Sequence, residues 1–163
     1  MVDRDGAMVG EHGGVAAYTI GQRQGLRVAL GEPRYVSRID PLTNTITLGR
    51  RQDLETTTIE LERPTFVAGH PPRGLEPFRA EVRIRHRTSP IAGTVRPLAV
   101  SGGDARPGSR WLIETDMPVW AAAPGQAAVL YDGEVVLGGG RIARPRPHGK
   151  AAPVERDLVI AGA

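Results

Sequence analysis

The stretch "AAVLYDGEVVLGGG" (127–140) decides the class of fold. Two apolar, β-branched runs, 127–131 and 134–137, flank Asp132-Gly133. A two-residue type I′ turn needs positive φ at both central positions, and Asp-Gly adopts it at low steric cost. The segment therefore reads as a β-hairpin. Gly138-Gly139-Gly140 follows it, and a run without Cβ atoms allows close backbone approach or a bulge before Arg141-Ile142.

The same texture extends upstream. In "FRAEVRIRHR" (78–87), Phe78, Ala80, Val82 and Ile84 fall on one face of a strand. Arg79, Glu81, Arg83, Arg85 and Arg87 fall on the other. Further strands are expected at 15–20, 26–30, 35–39, 45–48, 57–61, 94–100 and 110–115, with turns at 31–33, 40–44 and "SGGDARPGS" (101–109). "YTIGQRQGL" (18–26) reads as a strand entering a polar turn bracketed by Gly21 and Gly25. The stretch 63–77, carrying Pro64, Pro71, Pro72 and Pro77, reads as a long loop, and 144–163 as a disordered tail. Many short strands separated by turn signals argue for an all-β fold.

At 163 residues the chain suffices for one ordinary domain or two small ones. Its net charge is +3, and Lys150 is its only lysine. Arginine forks onto phosphate oxygens and stacks on bases, which favours a nucleic-acid partner; a GC-rich genome would produce the same bias. With no cysteine, the chain can form no disulfide, cysteine-ligated zinc site or catalytic thiolate. His12, His70, His86 and His148 lie scattered, without metal-ligand spacing, so no metal site is expected. His12, next to Glu11, is expected to make a structural hydrogen bond. No apolar run approaches the ~20 residues needed to span a bilayer, and the start has no apolar signal segment. A cytoplasmic protein without membrane contact is the expectation.

The arginines of 79–87 form a stripe at the ~6.6 Å spacing of alternate strand residues, comparable to the spacing of phosphates along nucleic acid. The plain alternative is a solvated outer sheet face with Glu81 paired to an arginine. "SGGDA" (101–105) has the glycines of a phosphate loop but lies between expected strands, with no helix N-terminus to receive a phosphate.

Taken in order, "VGEHGGVAAYTIGQRQGL" (9–26), "YVSRIDPLTNTITLG" (35–49), "VRIRHR" (82–87) and "PGQAAVLYDGEVVLGGG" (124–140) resemble the C-terminal part of tRNA-specific 2-thiouridylases, the MnmA/TrmU family. The resemblance implies a small central β domain over 1–56, then a roughly six-stranded antiparallel β-barrel over 57–143. Full-length family enzymes use ATP, with Mg, in an N-terminal ATP pyrophosphatase domain to activate the wobble uridine. They then insert sulfur carried as a cysteine persulfide and supplied by a sulfur-donor protein. This chain has neither the phosphate loop nor the cysteines, so the resemblance implies a tRNA-binding portion, inactive alone and without a cofactor of its own.

Carried over by position, the family's Arg-Tyr-Arg block falls on Arg85-His86-Arg87, with histidine replacing the usual tyrosine. The glutamine of its Pro-Gly-Gln block falls on Gln126. These are the expected tRNA contacts, although strict alternation would put Arg85 and His86 on opposite faces unless the strand ends there. Gln22 and Arg23 are expected at a seam, aimed at the catalytic domain or at tRNA; the alternative is that Arg23 caps nearby carbonyls. Two other readings stay open: a stand-alone RNA-binding module with a separate catalytic subunit, and a structural or protein-docking fragment.

Overall fold

The computed structural model describes residues 1–85, 88–98 and 109–144. His86 and Arg87, residues 99–108 of the expected strand 94–100 and turn 101–109, and residues 145–163 of the expected tail 144–163 lie outside the described residues. The described fold is all-β, as expected. A two-stranded sheet of β1 (Tyr35–Asp40) and β2 (Thr45–Gly49) precedes six strands: β3 (Glu55–Phe66), β4 (Phe78–Arg83), β5 (Ile91–Pro97), β6 (Arg110–Trp120), β7 (Ala127–Asp132) and β8 (Val135–Ile142). These close into a barrel in the order β3-β6-β5-β4-β7-β8, every pair antiparallel.

The opening hairpin is present: β7 and β8 pair from Asp132↔Val135 outward. The glycine run lies inside β8 and makes the close approach possible. A Cβ on Gly138 or Gly139 would collide with the backbone carbonyls of Thr65 or Ala128. Without side chains there, β8 packs tightly between β3 and β7 and the barrel closes. Alternation then fills the interior. Leu61, Val95, Trp111, Ile113 and Leu130 are fully buried, each contributing about 1.5–3 kcal/mol by leaving water. Thr115, the polar residue among them, is satisfied through Oγ1 donating to the Thr57 carbonyl at 3.2 Å.

Three local expectations are corrected. Residues 15–30 form no strand: a 3₁₀ turn, Val15–Ala17, leads into irregular backbone. Gly21, Gly25 and Arg27 all take positive φ, which breaks any extended run, while Tyr18, Ile20, Leu26 and Val28 still pack on Val36, Ile46 and Leu48. The loop expected from Arg63 instead begins after Phe66. Positive φ at Arg63 and a register shift let β3 leave β6 and continue along β8. Finally, β6 runs on through Pro118 to Trp120, well past residue 115, its register against β3 shifting between Thr56 and Thr58.

Candidate nucleic-acid interface

The extension of β6 delivers Trp120 to the junction between the small sheet and the barrel. Two guanidinium groups lie over its ring, those of Arg51 and Arg85, each 4.9 Å from the centroid. The Tyr35 ring meets Trp120 edge-on at 5.7 Å. Gly21, the first glycine of the polar turn, also packs there, where an added Cβ would stand 3.1 Å from Ala121 Cβ and 3.2 Å from the indole. The backbone ties the same point down, with Ala121 N–H donating to the Leu54 carbonyl at 2.8 Å. Cation–π attraction from a partly desolvated arginine contributes roughly 0.5–2 kcal/mol, so Trp120 joins the two units energetically as well as sterically.

The turn that follows Trp120 gathers two of the expected contact residues. Arg85 donates from Nη2 to the Ala121 carbonyl at 3.0 Å. Gln126 accepts the Ala123 N–H on Oε1 at 3.0 Å and pairs through its backbone with Ile142. Arg85 and Gln126, distant in sequence, are thus fixed to one short turn. The Gln126 amide nitrogen makes no hydrogen bond among the described residues. β4 ends at Arg83, so strand alternation no longer assigns opposite faces to Arg85 and His86.

Arg79 and Arg83, the other described arginines of the stripe, contact barrel side chains. Arg79 forms a two-pronged pair with Asp116 and donates to Thr94 at 3.3 Å. That pairing holds the Asp116 carboxyl below its ordinary value, chiefly through the Arg79 hydrogen bond. Arg83 lies over Tyr131 at 5.3 Å. Arg96, on β5, pairs with Glu114 at 3.0 Å. A continuous row of free guanidinium groups is therefore absent among the described residues. Arg23 and Arg27, in the 23–34 loop, are exposed instead.

Residues 1–50 match the family described as the tRNA methyl transferase PRC-barrel domain, and residues 56–142 match the aminomethyltransferase beta-barrel domain. The tRNA-specific 2-thiouridylase MnmA of Chloroflexus aggregans is 43% identical over 145 residues, covering 89% of this chain and 38% of that protein. The same-named protein of Microcystis aeruginosa is 37% identical over 147 residues, covering 90% and 39%. This chain belongs to the tRNA-specific 2-thiouridylase family. It spans under two-fifths of the length of the curated relatives it matches.

Within that family portion, Gln22 and Arg23 occupy different settings. The Gln22 side chain turns back on its own loop: Oε1 accepts the Thr19 N–H at 3.0 Å, and Nε2 donates to the Gln24 carbonyl at 3.0 Å. The Gln22 carbonyl accepts the Val36 N–H at 2.9 Å and the Gly21 N–H donates to the Val36 carbonyl at 2.8 Å, docking the loop on β1. Arg23 is exposed and lines a cavity with Arg27 and Arg34. His12 accepts the Gly14 N–H at 3.2 Å and meets Tyr18 edge-on, the expected structural role.

The described residues do not fit the ATP that full-length family members are expected to use. Their helical segments are two 3₁₀ turns of 3 and 4 residues, neither preceded by a phosphate-cradling glycine loop. Among them no group of three or more His, Cys, Asp or Glu residues could hold a metal ion. No helix among the described residues is long and apolar enough to cross a membrane.

Trp120 is the junction residue that no local sequence pattern singles out. The alternation of β6 holds the signal: Trp111 faces inward, and an odd spacing puts Trp120 on the other face. Recognising it required knowing that the strand passes through Pro118.

Proposed function

We propose that this chain is the tRNA-binding portion of a tRNA 2-thiouridylase, the ATP-dependent sulfurtransferase that makes 2-thiouridine at the wobble position. It contacts tRNA through Arg85, His86, Arg87 and Gln126 and works in the cytoplasm. The observation that carries this reading is the convergence of Arg85 and Gln126 on the turn after Trp120. One supplies a planar cation and the other a free amide donor, and together they suit a phosphate and a ribose hydroxyl or base edge. Sulfur transfer through a persulfide needs a cysteine, and this chain has none. The reaction therefore belongs to an ATP pyrophosphatase domain, joined to this portion or acting as a separate partner and loaded by a sulfur-donor protein.

The test is a fluorescence titration of the chain with tRNA at two salt concentrations. Binding should weaken with salt, and Arg85→Ala should reduce affinity and lower the slope of log K against log salt by about one unit. Unchanged affinity in the Arg85→Ala variant would remove Arg85 from the interface. Salt-independent binding, or none, would leave a structural or docking fragment.

A further inference from the structure

Two cavities differ in charge. The larger, about 320 Å³, lies where the small domain meets the barrel and is lined by Asp53, Glu55 and Glu60 against one arginine, Arg144. Those carboxylates repel phosphate. The smaller, about 220 Å³, is bordered by the 23–34 loop and lined by Arg23, Arg27 and Arg34, with Glu32 as the one carboxylate.

That carboxylate is already engaged. Glu32 Oε1 accepts from Arg34 at 2.8 Å and from Arg50 at 3.2 and 3.1 Å. Arg23 and Arg27 are exposed, and neither side chain has a hydrogen-bond or ion-pair partner among the described residues. Arg34 Nε is buried without a partner, on a side chain only 20% exposed. A buried donor left unpaired carries a desolvation cost and calls for an acceptor. The loop is also held in place around it. Leu26 and Val28 anchor in the small core, and Arg27 between them takes a left-handed φ of 52°. A long side chain in that conformation is uncommon, and such outliers cluster where a ligand is clamped. The volume falls below the ~300–1,000 Å³ of most small-molecule sites, which suits a phosphate group rather than a whole cofactor.

We propose that this cavity is a phosphate site that takes one backbone phosphodiester of RNA. Its oxygens accept from the free guanidinium groups of Arg23 and Arg27, and Arg34 turns its buried, unpaired Nε–H out to the anion as a third donor. The assignment rests on the tRNA reading and adds a second anchor, on the small domain, to the one beside Trp120.

Two measurements on the full chain test it separately from that reading. The first is tRNA titration across salt for the wild type, R23A/R27A and R23K/R27K. The double alanine variant should bind more weakly and lose about one unit of salt slope, while the lysine variant keeps the slope. The second is ¹⁵N NMR of arginine Nε–H groups during titration with inorganic phosphate. The Arg34 signal should shift in the wild type and stay still in R23A/R27A.

Both effects together support the proposal. A phosphate shift with unaltered tRNA binding in R23A/R27A overturns the RNA assignment and leaves a site for free phosphate. No shift and no change in slope overturn the site altogether. A phosphate shift in a wild type that binds no tRNA defeats the tRNA reading, and the RNA assignment with it, while the anion site stands.

Discussion

Trp111 and Trp120 lie on the same strand and have opposite fates. Trp111 is 1% exposed and packs against Phe66 and Phe78 in the barrel interior. Trp120, on the outer face, is held by Arg51, Arg85 and Tyr35 from three other segments. One indole builds the barrel; the other fastens the barrel to the small domain. The comparison teaches that strand parity decides an aromatic residue's job more than its size does.

The largest effect should separate these two roles. Trp111→Ala should cost about 3–5 kcal/mol of stability, the range for emptying an aromatic core position. Trp120→Ala should cost roughly 1.5–3.5 kcal/mol, the sum of two cation–π contacts of about 0.5–1 kcal/mol each and an edge contact of about 0.5–1.5 kcal/mol. Urea midpoints give both numbers. The binding readout should reverse the order among folded molecules: Trp120→Ala frees Arg85 from its platform and weakens tRNA binding, and Trp120→Phe restores part of it. Equal stability losses with no change in binding would make Trp120 ordinary core.

A smaller effect probes the same junction from the small-domain side. Gly21→Ala forces a side chain into a φ of 86° and against Trp120 and Ala121, so it should cost about 1–3 kcal/mol. Gly13 has open space where its Cβ would stand, and Gly13→Ala should be neutral or slightly stabilising. A thermal melt of the two variants compares a glycine the junction requires with one it does not. If they melt together, the Gly21 contact does not hold the units in register.

Much of this was legible in the sequence. Asp132-Gly133 marked the hairpin, alternation marked the buried face of β4, and the ordered family blocks implied the barrel. Residues 18–26 were misread because their apolar residues anchor an irregular loop through positive-φ positions, which composition alone does not distinguish from a strand. The junction was illegible for another reason. Arg51, Arg85, Trp120 and Gly21 meet only after the barrel closes, and no local pattern joins them. The arginine stripe showed the opposite failure: among the described residues, a regular pattern two of whose members the fold engages, Arg79 with Asp116 and Arg83 with Tyr131.

That pairing supplies the smallest prediction. Both partners of the Arg79–Asp116 bridge are about half exposed, so the bridge contributes little and is screened by salt. Its pH dependence is still diagnostic. The folded-state pKa of Asp116 lies below the ordinary 3.8, mainly because Arg79 hydrogen-bonds the charged form. A lowered carboxyl pKa adds stability that is present in full above 3.8 and lost as pH falls through the folded value. Asp116→Asn should therefore melt slightly below the wild type near pH 7, with the difference closing as pH falls below 3.8. The indole of Trp120 has no group that titrates in this range, so the Trp120→Ala difference should persist where the Asp116→Asn difference disappears. If the two close together, the junction depends on carboxylates rather than on cation–π contacts.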